Sequence, residues 1–161
     1  MTVPSRIRCT DDRGFTLIEL MVVVLIIAIL IGIAIPTFLG ARVRAQDRAS
    51  QSVIRNAFTA QKTIYIDEEA YVSATADLDG SGTADLQEVE PSLTYVTTDP
   101  PAATGNNVSI VLSGGYVIIA TKSASGTCFY LRDNARGATQ YAESAGCDAT
   151  AAVSGWRAVP W

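Results

Sequence analysis

One carboxylate, Glu19, stands near the start of an otherwise apolar run from Phe15 to Leu39. A charge held in hydrocarbon is costly unless it is paired or hydrogen-bonded. A cut between Gly14 and Phe15 would free an amine on Phe15, one helical turn before Glu19. The two could then compensate each other within one copy at i, i+4 spacing. In a bundle of parallel copies, Glu19 could instead meet the Phe15 amine of a neighbour, which would neutralise both charges and set axial register as a lone polar residue does in a coiled coil. The alternative is a carboxylate tolerated at headgroup level near the end of a plain membrane anchor. A second oxygen-rich set, Asp77, Asp79, Ser81, Thr83, Asp85 and Glu88, occupies positions 1, 3, 5, 7, 9 and 12 of a loop with Gly82 at position 6. That is the spacing of an EF-hand calcium loop, in which Thr83 would serve through its carbonyl and Glu88 with both oxygens. Ala84 departs from the branched apolar residue usual at its position, and a solvated, metal-free acidic turn is the competing reading.

Cysteine supplies the third chemistry. Cys9 precedes the apolar run, which leaves Cys128 and Cys147 as an even pair beyond it. Such a pair past a membrane segment reads as a disulfide made in an oxidising compartment, against two unpaired buried thiols. The chain has no histidine, and no nucleophile constellation or phosphate-binding loop is present, so no enzyme is expected. The net charge is −4; residues 1–14 hold three of the 12 basic and two of the 16 acidic residues, so the remainder carries 9 against 14, net −5. That balance argues against nucleic acid as a main partner, because neutralising phosphates needs a basic face.

The elements that position these groups can be read from hydrophobic periodicity. Leu20 to Ile35 is 16 residues without a charge, and Phe15 to Leu39 is 25 residues with Glu19 alone. As a helix the longer span covers about 37 Å, enough for a bilayer core. The candidate cut lies before the apolar run rather than after it, so removing residues 1–14 would retain the span, unlike an ordinary secretory signal. Charge bias alone would put Arg42, Arg44 and Arg48 on the cytoplasmic side; the cysteine pair argues instead that the chain beyond the span is exported. Pro36, between Gly32 and Gly40, predicts a kink or local loosening, either static or used when the helix changes surroundings. After Leu39 the pattern turns amphipathic: Ala49, Val53, Ala57, Ala60 and Ile64, broadened by Ile54 and Phe58, predict one buried stripe on a helix running to about Glu69. Beyond Tyr71, Val108–Leu112 and Tyr116–Thr121 around Ser113-Gly114-Gly115 predict a hairpin. Thr127–Arg132 and Thr139–Ala142 come next as strands. An antiparallel sheet of about four strands, one face on the helix and the other solvated, is expected. Asn107-Val108-Ser109 matches a glycosylation triplet, for which chance is the better reading.

The stretch Gly14-Phe15-Thr16-Leu17-Ile18-Glu19, with its apolar run and Pro36, resembles the amino end of type IV pilin precursors and their relatives the pseudopilins, over about residues 8–45. The resemblance implies an α+β pilin fold: a long kinked amino-terminal helix, apolar in its first half, packed on a small antiparallel sheet. It implies a cleaved leader (1–14), a transmembrane and filament-core helix (15–39), an amphipathic half (40–70) and a head with a disulfide-bounded carboxy end (71–161). A prepilin peptidase would cut between Gly14 and Phe15 and methylate the Phe15 amine. Glu19 and Phe15 would drive assembly, with Gly32 and Pro36 as the kink. The implied partners are further copies in a helical polymer, the peptidase, an assembly platform and the cytoplasmic membrane, and the product is a cell-surface filament serving adhesion, motility or DNA uptake. A pseudopilin of a secretion or competence system is the near alternative. A membrane-tethered binding module that does not polymerise is the distant one.

Overall fold

The computed structural model of the protein describes residues 14–101 and 104–161. The expected leader, apart from Gly14, lies outside those residues, as does Cys9. The chain divides into two compact units, one ending at Gly40 and the other beginning at Ala41.

Helix α1, Leu17–Glu68, contributes to both units. Its start is set locally. Thr16 caps the first turn, and Glu19 three residues on reaches back to the Thr16 N–H, the reciprocal pattern of a capping box. From Leu20 to Ile35, leucine and β-branched apolar residues then carry the helix with no polar side chain to compete for its backbone. The helix continues through Gly32, Pro36 and Gly40. At the proline the Thr37 hydroxyl donates to the Ala34 carbonyl (2.9 Å). In the first unit every side chain from Phe15 to Leu39 is exposed. A helix that is apolar on all sides finds its solvent in a membrane or a bundle.

In the second unit α1 buries Ser50, Ile54, Ala57, Ala60, Gln61 and Ile64. The expected stripe is therefore shifted: Ala49 is exposed and Val53 only half-buried, because the sheet seats on the row through Ile54, Ala57, Gln61 and Ile64. The helix stops at Glu69, whose φ of 54° puts a side-chain-bearing residue in the left-handed region usually given to glycine. A short helix, α2 (Asp85–Val89), leads to a five-stranded sheet: β1 (Thr94–Val96), β2 (Asn107–Ser113), β3 (Tyr116–Lys122), β4 (Cys128–Asp133) and β5 (Gln140–Ser144). Spatial order follows chain order. β2 to β5 pair antiparallel, with Ile110 opposite Ile119 and Ala120 opposite Tyr130. The β2–β3 turn is Gly114-Gly115, both at positive φ, as a tight two-residue hairpin turn requires.

Two corrections to the sequence expectation concern the sheet. It has five strands rather than about four, and the added edge strand β1 runs parallel to β2, with Tyr95 opposite Val108. Three residues carry too little periodicity to announce a strand. The second correction is that both faces are covered. Val108, Ile110, Val117, Ile119, Phe129 and Leu131 face α1. On the other face Ala120, Cys128, Tyr130 and Ala142 lie under Cys147, Val153 and Trp156. The carboxy-terminal tail returns along β5, pairs Arg157 with Tyr141, and packs Trp161 edge-on against Phe129 and Tyr141 at 5.3 and 5.0 Å.

Candidate functional site

The amino end is where the sequence placed the processing and assembly chemistry. Gly14, Phe15 and Thr16 precede the helix without regular structure, and all three are exposed. The Gly14–Phe15 bond therefore lies exposed and outside regular secondary structure, and Gly14 carries no side chain beside it. The Glu19 carboxylate accepts from the Thr16 N–H (2.9 Å) and the Thr16 hydroxyl (2.7 Å) through the same oxygen, Oε2. Thr16 thus takes part in the site, although the sequence reading concentrated on Phe15. The signal was present as Thr-x-x-Glu ahead of an apolar run, the signature of a capping box. Glu19 is satisfied locally through one oxygen, and Oε1 accepts no hydrogen bond among the described residues.

A second constellation holds the distal unit together and was not anticipated. Asp133, at the end of β4, is buried and accepts from Lys62 Nζ (2.8 Å), the Ala135 N–H (2.8 Å), the Thr139 hydroxyl (2.8 Å) and the Tyr71 hydroxyl. Burial disfavours its charge, but the bonds from Lys62, Tyr71, Ala135 and Thr139 outweigh that and bring its pKa down to about 2. Burial also works against the Lys62 ammonium, and the hydrogen bonds and charge of Asp133 and Tyr71 overcome it, so the lysine titrates above its ordinary range. The rings of Phe58, Tyr65 and Tyr71 surround the ammonium at 5.2 to 5.7 Å. Beside this pair, Gln61 exchanges hydrogen bonds with the backbone of Val72 (2.7 and 3.2 Å). Together these contacts fasten α1 to the chain that leaves it and to β4.

Cys128 and Cys147 are joined by a disulfide, with Cα atoms 5.0 Å apart. The bridge ties the loop after β5 to the first residue of β4. Tyr130 supports the same region by donating to the Asp148 carbonyl (2.5 Å); burial and the nearby Asp148 and Asp99 charges push its phenol up to about 12. Arg132 lies between the rings of Trp156 (4.3 Å) and Tyr116 (5.1 Å). The two tryptophans therefore hold the tail to opposite faces of the sheet.

The acidic loop brings together only part of the set read for calcium. Asp77, Asp79 and Asp85 place carboxylate oxygens within 4.8 Å of one another. Those oxygens accept the loop's own donors: Ser81 N–H to Asp77 and Asp79, Gly82 N–H to Asp77, and Leu78 N–H to Asp85. Ser81 donates to Glu88 (2.5 Å) and to the Thr83 carbonyl (3.3 Å). No helix enters this loop, since α1 ends at Glu68. Its exit helix is the five-residue α2.

Comparison with known proteins gives this arrangement its family. Residues 9–35 match the model of the prokaryotic N-terminal methylation motif. The chain is 34% identical over 118 residues to the type IV wide pilus major component PilA4 of Thermus thermophilus, covering 72% of this chain and 86% of that protein. The chain belongs to the type IV pilin family. This pilin is also 43% identical over 60 residues to the type IV major pilin protein PilA of Myxococcus xanthus, spanning 37% of the chain and 27% of that relative. To the competence protein ComGC of Bacillus subtilis it is 31% identical over 108 residues, 66% of the chain and 95% of that protein. No solved structure matches the pilin.

Proposed function

We propose that this pilin is a pilus structural subunit matured by cleavage between Gly14 and Phe15, methylated at the Phe15 amine, and polymerised through its apolar helix. The observation that carries the reading is the exposed run from Phe15 to Leu39, whose one charged side chain is Glu19. That run is long enough to hold the subunit in the cytoplasmic membrane before assembly and to form the core of a filament afterwards. Cleavage creates a cation at Phe15. In a bundle of helices, the Oε1 atom of Glu19 on a neighbouring copy neutralises it, and the Thr16 bonds keep the carboxylate oriented. Assembly is thereby tied to processing, because the unprocessed chain lacks the cation. The turn at Gly32 and Pro36 gives up one backbone hydrogen bond, so it is the point of least resistance when the helix leaves the membrane. A prepilin peptidase and an assembly platform are the partners this route requires. The cell surface is its destination.

A second reading, a short competence-type pseudopilus confined to the envelope, is favoured by the similarity to ComGC over most of that protein's length. Mass spectrometry of the native protein and shearing of whole cells test both. An amino terminus at methylated Phe15 and long filaments in the sheared fraction are expected. An intact Met1 or a cut after the apolar run would refute maturation, and a processed protein retained in the envelope would select the second reading. Glu19→Ala should abolish filaments while leaving the protein in the membrane; a variant that still assembles would remove Glu19 from the mechanism.

A further inference from the structure

Charge along the second unit is segregated. From Thr63 to Thr121 the sequence holds nine acidic residues and no basic one. From Ala41 to Lys62 it holds Arg42, Arg44, Arg48, Arg55 and Lys62 against Asp47 alone. The structure turns this composition into two surfaces. Arg44, Arg48 and Arg55, at i, i+4 and i+11 on α1, fall within about 40° of one another at 3.6 residues per turn. All three are exposed. Their row lies about 140° around the helix from the row of Ile54, Ala57, Gln61 and Ile64 that the sheet covers, by the same geometry. Asp47 is engaged elsewhere, accepting from the hydroxyls of Ser123 and Ser125. Among the described residues the ion pairs are Lys62 with Asp133 and Arg157 with Glu143, so neither the arginine row nor the acidic segment is neutralised within its own chain. Like charges at i, i+4 destabilise a helix. A row that carries them has a use for carboxylates from outside.

We propose that the Arg44–Arg48–Arg55 row receives the carboxylate-rich segment Asp67–Glu90 of a second copy of this chain. Glu68, Glu69, Asp77, Asp79 and Glu88 of that segment are exposed, and guanidinium forks suit such carboxylates because they donate two parallel N–H bonds. The two surfaces are different patches of the same chain. A contact between them is therefore head-to-tail, and it propagates through further copies instead of closing into a pair. Anionic lipid headgroups could also meet the arginines, but they would leave the acidic segment without a partner. The inference rests on the polymerisation reading and adds a polar contact between heads to the apolar contact between helices.

The test uses the full chain in its own cells. In filaments of the R44K/R48K/R55K variant, which keeps the charge and supplies amines, a carbodiimide should produce covalent dimers and longer ladders. Their linked peptides should join position 44, 48 or 55 to a carboxylate between 67 and 90. The reversal R44E/R48E should lower the yield of sheared filaments by at least about tenfold, since like-charge juxtaposition across an interface costs several kcal/mol. Crosslinks confined to monomers or leading to other carboxylates, or a reversed variant that assembles like the parent, would overturn the proposal. So would loss of R44E/R48E from the membrane fraction, which would assign the row to lipid headgroups. If the parent chain formed no filaments, the polymerisation reading itself would fail, and that outcome is visible before any variant is made.

Discussion

Replacing Asp133 by asparagine should unlock α1 from the sheet, and the size of the effect can be worked from the surroundings of the carboxylate. Four donors converge on it, three of them on Oδ2, and an amide that keeps its oxygen there loses the charge that Lys62 pairs with and turns the acceptor facing the Thr139 hydroxyl into a donor. Breaking a buried ion pair costs about 3–5 kcal/mol. The Lys62 side chain is 38% exposed and can regain water, so the lower end applies, about 3 kcal/mol. For a unit of this size that is on the order of 10 °C in melting temperature. The pH dependence gives an independent reading. With an ordinary value of 3.8 and a folded value of about 2, the Asp133 carboxyl contributes about 2 kcal/mol. The folded pKa is depressed, so this stability is fully present above about pH 4 and is lost as pH falls toward about 2. Both tryptophans, Trp156 and Trp161, lie in the second unit, so their fluorescence in the detergent-solubilised full chain reports its unfolding. The parent should lose melting temperature between pH 4 and pH 2 more steeply than Asp133→Asn. Lys62→Met combined with Asp133→Asn should destabilise by less than the sum of the single changes. Equal pH slopes in parent and variant, or strict additivity, would refute the claim that this network holds the helix to the sheet.

The other predictions concern single positions. Glu69→Gly should stabilise the second unit by about 1 kcal/mol, because glycine adopts the observed φ of 54° without steric penalty; urea titration followed by tryptophan fluorescence checks it. Cys147→Ser opens a loop of sequence separation 19 and should cost about 3 kcal/mol, read as a lower denaturation midpoint in the same titration. Thr16→Val removes the side-chain cap and one bond to Glu19, and should weaken the helix start by about 1 kcal/mol, seen as faster amide exchange at Leu17–Leu20 in micelles.

Local patterns in the sequence carried the amino end and the outline of the fold. The methylation motif around Gly14-Phe15, Glu19 inside an apolar run and Thr16 ahead of it are short-range signals, since a motif, a charge and a cap involve immediate neighbours. The hairpin at Gly114-Gly115 and the cysteine pair were legible for the same reason: few residues at those positions serve another purpose. Ala49 shows the limit of periodicity. It fits the apolar stripe by spacing, but the sheet docks on a neighbouring row and leaves it in solvent.

What only the tertiary structure decided lies far apart in the chain. Lys62 and Asp133 are separated by 71 positions, and nothing near either one announces the other. The parallel strand β1, the closure of the second sheet face by Val153 and Trp156, and the arginine row turned away from the sheet all depend on where elements pack. Sequence by itself determined that this chain has an apolar helix with one carboxylate behind a processing motif, because those properties belong to consecutive residues. Tertiary structure decided which charges pair inside the subunit, as Lys62 does with Asp133, and which stay exposed, as Arg44, Arg48 and Arg55 do, because pairing depends on distances that only packing creates.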